Sequence, residues 1–267
     1  MTQTVPSLSI VCMAIASAAA FAIAIGLFIF FRKKKKADVL PYFVGCAVFV
    51  LFALVLEGAV NSAVSKTAFG ADMMSKTWLY ALYGGLMAGL FEECGRFCAF
   101  KTVLRGKQDK DVNALMYGAG HGGCEAVILL GISMISNISF ALMVNSGNTE
   151  ALLSTGAQAQ LDTVIRTLTE TPSWTFLVGI IERVFAVTIH LALSVIVWFA
   201  AKKDGKPVLL LLAILLHALA DGIMVVAASV LPTLAVEALI GVSVAVIAFI
   251  AYRIWRKFHV TNEAAIS

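Results

Sequence analysis

Apolar residues dominate seven stretches of the chain, at about 7–31, 39–59, 77–100, 112–135, 174–201, 207–231 and 233–255. Each reaches the roughly 20 residues that an α-helix needs to cross a hydrocarbon core, so the pattern predicts seven spanning helices. The connections between them are short and carry most of the charge. One is longer, at about 136–173, rich in Asn, Ser, Gly, Thr and Gln, and predicts a short helix from Thr155 to Thr169.

The basic residues alternate from one connection to the next. Arg32 to Lys36, the segment from Lys101 to Lys110, Lys202 with Lys203 and Lys206, and Arg253 with Arg256 and Lys257 hold 15 of the 20 Lys and Arg residues. The intervening connections hold only Lys66, Lys76 and Arg166. Positive charge is retained on the cytoplasmic side, which places the N-terminus outside and the C-terminus in the cytoplasm. The first apolar run has no basic residue ahead of it, so it reads as a retained anchor and not a cleaved leader.

Composition agrees with this and excludes much else. The chain has 267 residues, 60% hydrophobic and 13% charged, against about 45–50% and about 25% for soluble domains. The expectation is an all-α membrane protein, one integral-membrane domain over 1–267, multi-pass and in a bacterial plasma membrane. The net charge of +4 sits in clusters at span ends and not on one folded face, which suits a lipid bilayer and no nucleic acid. The five cysteines lie in apolar runs and form no C-x-x-C pair, which argues against a disulfide framework and for packing.

Ionisable residues within the apolar runs change the picture. Glu57, Glu92, Glu93, Glu125, Glu182, Asp221 and Glu237 lie there, with His121, His190, His217, Arg96 and Arg183. A charge at the centre of a spanning helix costs about 2.5–3.5 kcal/mol on insertion scales, so packing alone does not favour such a concentration. Counted at 1.5 Å per residue from the basic boundaries, Glu93 lies about 12 Å deep, His121 and His217 about 15 Å and His190 about 18 Å. Four helices (77–100, 112–135, 174–201 and 207–231) therefore bring their polar groups to one layer. Glu57 with Asn61, and Glu237, fall outside it, and Glu182 reads as a partner of Arg183.

Within the layer, Glu92 and Glu93 precede Arg96 by four and three residues, His121 precedes Glu125 by four, and His217 precedes Asp221 by four. Each pair shares a helix face. The better-oriented i, i+4 spacing assigns Glu92 to Arg96 and leaves Glu93 as general base. Such a set suits hydrolysis: a glutamate activates water, and a histidine orients it or stabilises the oxyanion. Equally, His121, Glu125, His190 and His217 are candidate ligands of a metal such as Zn²⁺. A proton-coupled transporter or channel is the competing reading, since buried Glu, His and Asp also build proton relays; no paired repeat supports it. A non-catalytic scaffold that kept the fold is a third.

The same residues resemble the glutamate-motif intramembrane proteases, the superfamily of CAAX-processing, bacteriocin-processing and PrsW proteases. Gly118-x-Gly-His-Gly-x-x-Glu-Ala126, and Glu182-Arg183 ahead of His190, resemble the YhfC family of membrane peptidases. The resemblance implies an intramembrane endopeptidase acting on membrane proteins or lipid-associated peptides. It implies site roles for Glu92, Glu93 and Arg96 in a first motif, His121 and Glu125 in a second, and His217 and Asp221 in a third. CAAX-type members have one more residue before the arginine and an Asn where Asp221 stands, which turns the expectation away from prenyl-protein substrates.

The orientation is tested by cysteine-accessibility labelling. Lys203→Cys should react only with reagent admitted to the cytoplasmic side, and labelling from outside overturns the topology.

Overall fold

The computed structural model describes residues 4–148 and 158–259, apart from the side chains of 158–161. The described residues are helical and contain no strand. The long helices are α1 (Ser7–Lys33), α2 (Leu40–Ser65), α4 (Thr77–Lys101), α5 (Val112–Asn145), α7 (Thr175–Ala201), α8 (Val208–Val230) and α9 (Thr233–Phe258). Two short ones, α3 (Ala68–Met74) and α6 (Gln158–Glu170), lie between them. All seven expected runs are helices. Six are long and apolar enough to cross a membrane, making this a multi-pass integral membrane protein. The seventh, α4, is long enough at 25 residues, but it carries Glu92, Glu93 and Arg96 within its length.

α2 and α5 outrun their apolar stretches most, to Ser65 and Asn145. α5 continues to Asn145 because the hydroxyls of Ser136 and Ser139 donate to the carbonyls of Ile132 and Ile135 one turn back. A polar residue that satisfies itself within the helix does not end it. α6 takes up most of the short helix expected in the long connection, whose start at Thr155 lies outside the described residues. Both α2 and α5 contain a π-helical stretch, Phe49–Glu57 and Val127–Ile132. Such stretches widen a helix locally and are frequent beside functional sites.

The chain divides into two compact units. The first, residues 1–25 and 125–184, packs Met13 of α1 with Ala141 and Val144 of α5 and Leu168 of α6. Ser17 donates to the Gly131 carbonyl at 2.9 Å, and Asn145 pairs through its side-chain amide with both backbone groups of Val5.

The second unit, residues 26–124 and 185–267, is built on glycine contacts. A Cβ on Gly45 would lie 2.3 Å from the Tyr117 carbonyl oxygen, and one on Gly120 would lie 1.9 Å from that of Tyr42, so α2 and α5 meet backbone to backbone. Gly85 and Gly89 of α4 meet the carbonyls of Ala218 and Ile214 of α8 at 2.3 and 2.6 Å in the same sense. Helices in lipid gain from such close approach because no hydrophobic force draws them together. Below these contacts Phe100, Tyr117 and Trp198 stack edge to face, with centroids 4.7 and 4.9 Å apart. The Trp198 indole donates to buried Asp111 at 2.9 Å, and Asp111 also holds Lys202 and His259. Outward, α8 presents Leu211, Leu215, Leu219, Ile223, Val226 and Val230, an apolar face suited to acyl chains.

These contacts leave no room for a side chain. Gly120→Ala should lower the thermal unfolding temperature of detergent-purified protein by the equivalent of about 3 kcal/mol, the upper end of overpacking costs. Gly84→Ala, with nothing within 4 Å of its Cβ position, should leave it unchanged.

Candidate active site

Glu92 and Glu93 are neighbours on α4 and therefore point about 100° apart. They reach different helices. Glu92 Oε2 lies 2.8 Å from His121 Nε2 of α5, and Glu93 Oε1 lies 2.8 Å from His217 Nδ1 of α8. Arg96, one turn further on α4, joins the two sides. Its Nη1 lies 3.0 Å from Glu93 Oε2, and its Nη2 lies 3.1 Å from His190 Nδ1 of α7. The guanidinium also sits 5.8 Å from the centroid of the Tyr117 ring.

The three histidines converge. The rings of His121 and His190 are 4.6 Å apart, and those of His190 and His217 are 5.5 Å apart. Glu93, Arg96 and His121 are fully buried, and Glu92, His190 and His217 nearly so. Asp221 is 3.6 Å from His217 Nε2 and has about a third of its side chain exposed. Gly118 and Gly122 let α7 approach: their Cβ positions fall 2.8 Å from the His190 carbonyl oxygen and 3.2 Å from the His190 Cβ.

Donor and acceptor roles follow from the arginine. A guanidinium only donates, so the Arg96 contact makes His190 Nδ1 an acceptor and puts that ring's proton on Nε2; His190 could ligate a metal only by giving up this contact or the Nε2 proton. A carboxylate paired with arginine accepts, so Glu93 takes the Nδ1 proton of His217 in a hydrogen bond and leaves His217 Nε2 toward Asp221.

The expected pairing with Arg96 falls to the other glutamate. Glu93, and not Glu92, forms the ion pair with Arg96, and Glu92 is turned toward His121 and His190. The i, i+4 preference is worth only about 0.2–0.5 kcal/mol in an isolated helix. Here the buried His217, with which Glu93 makes a 2.8 Å contact, outweighs it. Glu125 shares a helix with His121, but its carboxylate is held by Arg183 in the first unit, where Arg183 also binds Glu182. Of the four expected ligand candidates, His121 and His190 come together with a residue outside that set, Glu92.

Glu57 is closer to this chemistry than its position suggested. Its carboxylate accepts from Asn61 Nδ2 at 3.1 Å, Asn61 in turn accepts from the Tyr83 hydroxyl at 2.8 Å, and Glu57 lies within the electrostatic reach of Glu92, His217 and Asp221. Glu57 ends the π-helical stretch of α2. Nothing in the residue pattern announced that stretch.

The donor set fits a metal. Glu92, His121 and His190 each offer one ligand atom, and these atoms all lie within 4.8 Å of one another in a buried setting. A tetrahedral zinc shell spaces its ligands about 3.3 Å apart, and hydrolytic sites use three protein ligands of this kind with one position open. A separate cleft of about 580 Å³ between α4, α8 and α9 is lined by Trp78, Leu82, Leu215 and other apolar residues, with no ionisable group. Its lining suits lipid and not chemistry.

Comparison with known proteins agrees with the geometry. Residues 19–251 match the family model described as YhfC intramembrane metalloprotease, and the chain belongs to that family. An uncharacterized membrane protein YhfC of Bacillus subtilis is 39% identical over 191 residues, which cover 71% of this chain and 73% of that protein. No solved structure matches the chain.

The two glutamates should separate on substitution. Glu93→Gln leaves Arg96 uncompensated in the interior and should destabilise the fold by about 3–5 kcal/mol, the usual cost of orphaning a buried charge. With both proteins stripped of metal by chelator, Glu92→Gln should unfold near the temperature of the wild type. Unfolding scans of the two purified variants check this, and equal losses would refute the pairing.

Proposed function

From that family membership and the buried Glu92–His121–His190 group, we propose that the protein is an intramembrane endopeptidase. It hydrolyses peptide bonds of membrane-associated proteins or lipid-anchored peptides and uses a divalent metal, for which zinc best suits the donors. The observation that carries the reading is the gathering of one carboxylate and two imidazoles from three helices at ligand spacing. A metal held there supplies the Lewis-acid charge that polarises a carbonyl oxygen and lowers the pKa of water.

The remaining residues have distinct tasks. Glu93, committed to Arg96 and His217, is a poor proton acceptor, so its task is orientation: it fixes the ring of His217 through Nδ1. That leaves Nε2 of His217 as the atom that takes or gives a proton during hydrolysis, with Asp221 beside it to stabilise the charged ring. Arg96 offsets the charge of Glu93, and its contact with His190 Nδ1 would be exchanged for the metal when His190 ligates. Burial of the whole set excludes bulk water, which strengthens each of these interactions. The alternative of a proton-coupled transporter is not favoured by a family described as metalloproteases.

The test combines metal analysis with proteolysis of a quenched transmembrane peptide by protein in nanodiscs, with and without chelator. Wild type should contain stoichiometric metal and lose cleavage on chelation, and Glu92→Gln and His121→Ala should lose both. His217→Gln should keep the metal and slow hydrolysis about 10²–10⁴-fold, the usual worth of a positioned acid–base group. Cleavage that persists in metal-free protein would overturn the metal reading.

A further inference from the structure

The site is buried, yet hydrolysis consumes a water and a peptide bond must reach it. All the residues that decide the route belong to the second unit. Gly85 of α4 meets Ala218 of α8, and Gly89 meets Ile214, so the two helices run antiparallel. The end of α8 at Val230 therefore lies on the side of the start of α4 at Thr77, where α3 is carried. The basic clusters at Lys101–Lys110 and Lys202–Lys206 mark the other end.

The basic end is closed. One turn from His217 in that direction stands Ala213, with no exposed surface, and on neighbouring helices Phe100, Tyr117 and Trp198 have 3% or less. Their edge-to-face stack abuts His121, whose ring lies 6.0 Å from that of Tyr117.

The opposite end opens. One turn from His217 the other way is Asp221, with about a third of its side chain exposed; Val225 beyond it is half-buried and Ala228 exposed. Along α2 the gradient is the same. Phe49, 5.4 Å from the His121 ring, is buried, whereas Glu57 and Asn61 further along are half-buried. Tyr83 of α4 donates to Asn61, Asn61 donates to Glu57, and Glu57 lies within the electrostatic reach of Asp221 and His217. A line of polar side chains thus leads from the site toward the end away from the basic clusters.

Depth makes this exposure informative. Asp221 lies about 20 Å along α8 from Val208 and about 13 Å from Val230, and its side chain is too short to reach the headgroups. Ionisable residues at such depth face protein or a water-filled cavity, because acyl chains solvate no charge. The acyl-facing surface of α8 is a different one, with Leu215, Leu219 and Ile223 exposed.

We propose that Asp221, Glu57, Asn61 and Tyr83 line the passage by which water and substrate enter. The substrates are then membrane-anchored polypeptides whose scissile bond lies in the half of the bilayer away from the basic clusters, the outer half by the positive-inside rule. This substrate class rests on the endopeptidase reading, whereas the passage itself is tested without catalysis.

Single cysteines are placed in a full chain whose five native cysteines are replaced by alanine, and sealed vesicles are treated with a charged thiol reagent that does not cross bilayers. Lys203→Cys marks the basic side. Asn61→Cys and Val225→Cys should react from the opposite side, at least about 100-fold faster than Ala213→Cys, because a buried position reacts only during rare local openings. Leu219→Cys, exposed to acyl chains, should also stay unreactive, which separates water from lipid. Reaction of Asn61→Cys and Val225→Cys from the Lys203 side alone, or from neither side, overturns the passage.

The substrate class is tested with single-span proteins of fixed orientation, co-reconstituted with the wild type. Fragment masses should place the cut in the half away from Lys203, and cuts confined to the basic half overturn the assignment. If labelling is as expected but neither orientation is cut, the endopeptidase reading fails and the passage stands.

Discussion

The arrangement of the site depends on the burial of one guanidinium. Arg96 has no exposed surface, and taking such an ion out of water costs several kcal/mol even after relaxation. Only a carboxylate at close range offsets that, and Glu93 provides it at 3.0 Å. Once Glu93 is committed, the rest follows by exclusion. His217 is drawn to the remaining oxygen of Glu93, His190 takes the second arm of the guanidinium, and Glu92 is the carboxylate left facing two imidazoles. The ion pair thus sorts chemically equivalent residues into a supporting group and a ligand group.

Such sorting needs helices closer than ordinary side chains allow. Polar groups at membrane depth are tolerable only if protein, and not lipid, surrounds them. Gly45, Gly118, Gly120 and Gly122 supply that closeness at α5, and Gly85 and Gly89 supply it between α4 and α8. The glycines of the Gly-x-Gly-His-Gly stretch are therefore part of the site although none offers a ligand. Gly120 brings α2 against the back of α5, and its neighbours on either side admit α7 at the level of His190. The membrane also explains why the outward faces need no polar cover, since exposed leucines on α8 face a medium as apolar as themselves.

Much of this protein was readable before any tertiary contact was known. Run length against bilayer thickness determined the helices, and the 1.5 Å rise from basic boundaries aligned Glu93, His121, His190 and His217 in one layer, where they are found in contact through Glu92 and Arg96. These quantities depend only on distance along a helix, which a linear sequence encodes directly. Rotation between helices is not so encoded. Whether Glu92 or Glu93 pairs with Arg96 was decided by a histidine 124 positions away, and Glu125 was claimed by an arginine 58 positions away, against the local pairing with His121. A helix face with two candidate partners a few tenths of a kcal/mol apart leaves the choice to whichever neighbour brings a buried charge. The π-helical stretch that ends at Glu57 likewise has no residue signature of its own. Sequence determined which residues lie at the same depth, and the tertiary structure alone decided which of them face one another, because depth is a property of one helix and facing is a property of two.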